Sequence, residues 1–160
     1  MPALTCGIDF GTSNSTVSVA LDGRARLIPL EGGAVTLPSA VFWHDDDPPA
    51  FGRAAIEAYV QGEPGRLMRG LKSTLGSSLI AERTRVGNRA VSFRDIVARY
   101  FRHLHALLES EVPGVERVVL GRPVHFVDGD PAADAAAQGV LEEIARGLGF
   151  REVGFQYEPI

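Results

Sequence analysis

Residues 93 to 121 constrain the fold more than any other part of the chain. Phe93, Ile96, Val97, Tyr100, Phe101, Leu104, Leu107, Leu108 and Val112 recur at spacings of three, four and seven, one continuous apolar stripe on a helix. Ser92 with Asp95 three residues on resembles a capping box, and Pro113-Gly114 stops the helix. Val118-Val119-Leu120-Gly121 then follows as a short, fully apolar run, the mark of a central parallel strand. A helix of this kind feeding such a strand calls for a sheet to pack on.

The rest of the chain supplies that sheet. Leu4 to Phe10 reads as an apolar strand, and Thr16 to Leu21 alternates polar and apolar with the period of a half-buried strand. Asp22-Gly23 is a strong hairpin signal, since both residues tolerate positive φ, and Ala25 to Ile28 completes a meander. Towards the other end, Asp130 is a good N-cap and Pro131 suits the first helical position. Ala136, Ala137, Val140, Leu141, Ile144, Ala145 and Leu148 form that helix's stripe, Gly149 ends it, and Val153 to Tyr157 is a last strand. This order implies an α/β mixed sheet, a three-stranded meander plus two parallel strands reached through right-handed helical crossovers.

Residues 36–92 are less regular and read as an inserted α+β subdomain, leaving 1–35 and 93–160 as the main lobe. Leu37 to Trp43 looks like one strand, Asp45-Asp46-Asp47-Pro48-Pro49 a turn, and Val86 to Val91 a hairpin. Short helices are expected over 53–60 and 66–75.

At 160 residues the chain can bury a core without disulfide or metal. Its net charge of −4, with no basic stripe, argues against nucleic acid or an anionic membrane as partner. The longest apolar run is Ala40 to Trp43, so no transmembrane span is expected. The N-terminus does not read as a signal peptide, and a single cysteine, Cys6, fits a reducing compartment. A cytoplasmic location is the expectation.

Strands 4–10, 118–121 and 153–157 should be parallel, with their C-terminal ends on one edge, where open α/β sheets bind ligands. The loops 11–15 and 121–129 and the terminal Glu158-Pro159-Ile160 meet there, and Asp9 and Glu158 stand at or beside that edge. Gly7-Ile8-Asp9-Phe10-Gly11-Thr12-Ser13-Asn14-Ser15 fits a phosphate cradle, because glycine admits an anion to the backbone and small hydroxyl residues add donors. An aspartate beside such a turn suits a hydrated Mg²⁺. The bland alternative is an ordinary polar turn after a strand.

These residues resemble the first phosphate motif of the actin, sugar-kinase and DnaK-type heat-shock ATPase superfamily. Leu71-Lys72-Ser73-Thr74-Leu75-Gly76 is similar to the chaperone segment that carries a catalytic lysine. Gly121 to Phe126 is similar to its valine-proline-alanine-tyrosine-phenylalanine strand end, and Tyr157 to Ile160 to the start of its glutamate-proline-threonine-alanine-alanine motif. Residues 137–142 and 155–159 look especially like the YegD-type branch of DnaK-like proteins. The resemblance implies a ribonuclease-H-like lobe that binds ATP or ADP with Mg²⁺, in a stress-response chaperone acting on unfolded polypeptides. It implies that Gly11, Thr12, Ser13 and Asn14 cradle the β- and γ-phosphates and that Asp9 holds Mg²⁺ through water. Lys72 would reach the γ-phosphate and Glu158 would position the attacking water. Pro123 looks like the proline that couples nucleotide state to a neighbouring domain; the arginine that works with it in the family has no counterpart in 128–138.

The resemblance further implies that this is the first lobe alone. Its partner would be a second nucleotide-binding lobe, without which turnover would be almost nil and self-association through the uncovered flank is expected. Two other readings stay open, a sugar- or acid-kinase relative and a non-catalytic actin-like scaffold.

Other candidates read as structural. Gly65 to Ser73 has the wrong spacing for a P-loop and follows no expected strand. His103 and His105 lie two apart on a helix and cannot chelate one metal. His44 and His125 lie on or near strands and read as structural. Cys6 reads as a small buried residue, and Phe42, Trp43 and Phe51 as the core of the insertion.

Overall fold

The structure, a computed structural model, describes residues 3–46 and 48–159. Met1, Pro2 and Ile160 lie outside the described residues, as does Asp47 of the expected acidic turn. The chain opens with strands β1 (Thr5–Phe10), β2 (Asn14–Leu21) and β3 (Arg24–Leu27), followed by β4 (Leu37–Pro38), β5 (Val41–His44) and β6 (Ala50–Phe51). Helix α1 (Arg53–Val60), strand β7 (Gly65–Met68) and the short helix α2 (Leu71–Leu75) come next. A single 3-10 turn at Ser78–Ala81 leads to β8 (Arg83–Val86) and β9 (Arg89–Ser92). Helix α3 (Phe93–Glu111), β10 (Arg117–Arg122), α4 (Pro131–Gly147) and β11 (Glu152–Tyr157) complete the order.

The main sheet runs β11-β10-β1-β2-β3, with β4 also paired to β2. Asp22 (φ 51°) and Gly23 (φ 75°) both sit in the left-handed region, the two-residue turn that suits twisted antiparallel strands. β10 is parallel to both neighbours, with Ile8 beside Leu120 and Leu120 beside Phe155. Each parallel pair is reached through a long helix, α3 and then α4, as the sequence pattern requires. Their starts are capped as expected, Ser92 Oγ accepting from the Asp95 N–H and Asp130 Oδ1 from the Ala133 N–H.

Strand alternation divides the sheet into two unlike faces. Cys6, Ile8, Phe10, Val17, Val19, Val118 and Leu120 are buried in one cluster with Ile96, Tyr100, Phe101, Leu104 and Leu108 of α3 and Leu141 and Ile144 of α4. The other face carries Thr5, Gly7, Asp9, Thr16, Ser18, Ala20, Val119 and Gly121 along an open hollow of about 360 Å³. No helix among the described residues is long and apolar enough to cross a membrane.

Two expectations for the irregular stretch need correction. Residues 37–43 are not one strand: β4 stays on the main sheet while β5 belongs to a separate sheet of order β6-β5-β7. The chain turns between them because Pro38 has no N–H for a ladder and its carbonyl instead accepts from the Ala40 N–H. Residues 66–75 are not one helix. Residues 65–68 pair with β5, and Gly70 at φ 62° breaks the backbone before α2 begins. The β8–β9 hairpin forms where expected.

The aromatic residues of this stretch also divide differently. Trp43 and Phe51 join the main core, whereas Phe42 packs with Ala40, Ala55 and Ala58. Trp43 lies between the Arg89 and Arg99 guanidiniums.

Candidate functional site

The turn after β1 is built around Gly11. A Cβ there would fall 2.3 Å from the Asn14 carbonyl oxygen, which accepts the Gly11 N–H at 3.0 Å, so a side chain cannot coexist with this turn. Ser39 braces the turn from beneath. Its N–H donates to the Ser13 carbonyl at 2.9 Å, its hydroxyl donates to the Gly11 carbonyl at 2.8 Å, and it shares a buried hydrogen bond with Ser15 Oγ. Tyr100 of α3 in turn donates to the Leu37 and Pro38 carbonyls. With those carbonyls drawn inward, the Thr12 and Ser13 N–H groups find no protein acceptor among the described residues. Thr12, Ser13 and Asn14 are exposed and, with Ser39, Arg69 and Gly70, line a hollow of about 380 Å³.

The charged residues gather at the neighbouring strand ends. Lys72 Nζ donates to both Glu158 oxygens, at 2.7 and 2.8 Å, across 86 residues of sequence. The lysine side chain is only 14% exposed, so it is not a solvated helix lysine, and Glu158 is held rather than frayed. Gly121 of β10 lies between Glu158 and Asp9: a Cβ on it would approach Glu158 Oε1 to 3.4 Å and Asp9 Oδ1 to 3.8 Å. The missing side chain at Gly121 therefore leaves room where two carboxylates and a cation converge.

Two nearby carboxylates without a third protein ligand fit a cation that keeps most of its water, as Mg²⁺ does. No cluster of three or more His, Cys, Asp or Glu able to hold a metal directly occurs among the described residues. The unpartnered amides of the turn fit an oxyanion.

The remaining imidazoles and the thiol take no part in these contacts among the described residues. His103 stacks on Phe51 at 4.4 Å, and burial holds its imidazole below the ordinary value. His105 packs edge-on against Phe150. His44 lies 3.3 Å from Glu63, whereas His125 is exposed in the loop after β10, with no structural role evident there. Burial pushes the Cys6 thiol up to about 12, which leaves it inert.

Sequence reasoning missed Arg122. It ends β10 on the same face as Val118 and Leu120 and is buried, with 5% of its surface exposed. The signal was present, since alternation in an apolar strand turns its third inward position to residue 122.

A tight glycine turn, two carboxylates and a buried lysine gathered at a parallel strand edge stand where open α/β sheets bind ligands. The family model described as Hsp70 protein matches residues 5–129, and the chain belongs to that family, in its N-terminal portion. Among curated relatives, a chaperone protein HscA homolog from Laribacter hongkongensis is 36% identical over 76 residues, 48% of this chain and 12% of that protein. The HscA homolog of Neisseria meningitidis serogroup B is 34% identical over the same shares. The aligned stretch thus spans about an eighth of the relatives' length.

Proposed function

We propose that this chain forms the first lobe, ribonuclease-H-like in fold, of an ATP-dependent chaperone, binding the phosphates of ATP and its Mg²⁺. In this reading the inserted subdomain spans residues 36–92 and delivers Lys72 to the site. The observation that carries it is the bidentate Lys72–Glu158 pair beside Asp9 and Gly121, next to a turn with unpartnered amides. Membership of the Hsp70 family favours this over a sugar kinase or a scaffold.

Asp9 would hold a Mg²⁺ through water at this edge, and the ion would supply positive charge against that of the phosphates. Gly11 keeps the turn tight, and the Thr12 and Ser13 amides, with Asn14, bind the β- and γ-phosphate oxygens. The Asp9 carboxylate would accept hydrogen bonds from the ion's water shell. Lys72 swings from Glu158 to the γ-phosphate and stabilises charge as it develops there. Glu158, released from the lysine, accepts a hydrogen bond from the attacking water and orients it. The clients would be unfolded polypeptides. A second lobe would close the cleft, so residues 1–160 alone hold nucleotide weakly and turn it over barely at all.

Calorimetric titration with Mg-ATP and with ATP plus a chelator tests the reading. Binding that needs Mg²⁺ in the native protein and loses that dependence in Asp9→Asn supports it. Equal affinity with and without Mg²⁺ in the native protein overturns it.

A further inference from the structure

The guanidinium of Arg122 is the most heavily engaged side chain near the strand ends. Its Nε donates to the Pro123 carbonyl at 3.0 Å and its Nη2 to the Val124 carbonyl at 3.2 Å. The same Nη2 meets both Asp134 oxygens, at 3.0 and 2.8 Å, and Nη1 donates to Gln138 Oε1. Asp134 Oδ1 also accepts the Phe126 N–H at 2.6 Å. The flat cation lies 4.9 Å from the Phe126 ring centre and 5.3 Å from that of Tyr157. Finally, the Arg122 carbonyl accepts the Glu158 N–H at 2.6 Å.

One residue therefore ties three segments: the loop after β10, the first turns of α4, and the end of β11 where Glu158 begins. A buried guanidinium that loses these partners is left uncompensated, so the arrangement is held as a unit. Lysine cannot replace it, having neither a planar face for two rings nor a fork of donors aimed at four acceptors.

We propose that Arg122 is a positioning residue: it sets where Glu158 stands, and through Glu158 it holds Lys72 at the strand edge. Its guanidinium does so through the ring of Tyr157, the residue before Glu158, and by fixing the end of β10 whose carbonyl accepts the Glu158 N–H. The inference rests on the phosphate-transfer reading for its kinetic consequence, though not for its geometric one. Asp9 and the Gly11–Asn14 turn lie outside the network, so nucleotide affinity and turnover respond unequally to its loss.

The test uses the intact protein and two readouts. The first needs no nucleotide: the acylation rate of Lys72 by a small amine reagent, followed by mass spectrometry. Lys72 in Arg122→Lys is expected to react several-fold faster than in the native protein, close to its rate in Glu158→Gln. Tyr157→Leu changes a residue that is 62% exposed and therefore folds readily. It removes one of the two rings beside the guanidinium, and an intermediate rate is expected for it. The second readout is Mg-ATP turnover, where Arg122→Lys is expected to lower kcat roughly tenfold with KM changed less than about twofold. Native Lys72 reactivity in both Tyr157→Leu and a folded Arg122→Lys overturns the proposal. Faster labelling in a protein that hydrolyses no ATP at all upholds the positioning role and sinks the ATPase reading instead.

Discussion

Lys72 is pinned between the two oxygens of Glu158, so neither charge acts on a third group without loosening the other. On the proposed reading, a phosphate entering the edge would offer the lysine a second charged acceptor and free the carboxylate at the same moment. Lys72→Met is therefore expected to cut single-turnover phosphate release by about 10²–10³-fold, the scale of losing one preorganised electrostatic contact. KM should move much less, because the turn amides and Asp9 are untouched. Quenched-flow phosphate release over a range of Mg-ATP concentrations checks this, and weaker half-saturation with an unchanged maximal rate would assign Lys72 to ground-state binding. Gly11 and Gly121 act by what they lack. The first permits the turn, and the second opens the space between Asp9 and Glu158.

Helix α3 shows how far an element can be read from its sequence. Its stripe, its Ser92 cap and its stop near Pro113 all follow from local chemistry, and the structure places them accordingly. Pro38 and Gly70 mark the breaks at 38–40 and 68–71, but which sheet each flanking piece joins depends on a partner strand distant in sequence. Arg66 to Met68 pair with β5 although the same residues suit a helix, a tertiary override of weak local preference. The site divides likewise. Asp9, Gly11 and Glu158 stand out as strand-end chemistry. The ion pair to Lys72 spans 86 residues, so no window of sequence shows it, and alternation turns Arg122 inward without revealing partners drawn from three segments.

The same helix carries a pH dependence. His103 of α3 is held below its ordinary value by burial, with Glu31 pulling partly the other way. The unfolded chain then binds a proton at a pH where the native one does not. Stability should be level above about pH 6.5 and should fall as pH drops below it, until the native imidazole itself titrates. The slope is at most about 1.4 kcal/mol per pH unit. Urea denaturation of the native protein and of His103→Phe, which keeps a ring on Phe51, checks this. The slope should flatten in the variant.

At the scale of the whole molecule the sheets are unequal. The β1, β10 and β11 ladders lie against α3 and α4, whereas β8 and β9 form an isolated pair in which only Val86 and Val91 are buried. Two-stranded hairpins have little stability of their own. Amide exchange should be slowest in β1 and β10 and fastest in β8 and β9, with the latter opening in sub-global steps. Uniform exchange across all three sheets would show a single cooperative unit instead.

The hydroxyl of Tyr100 joins this interior to the glycine bend: it grips the Leu37 and Pro38 carbonyls, and Ser39 beside them grips Gly11. Loosening of this one phenol would pass through two hydroxyl links to the turn that carries the Thr12 and Ser13 amides. On the proposed reading, phosphate affinity should therefore fall in Tyr100→Phe while the strands stay intact, which titration beside circular dichroism would show.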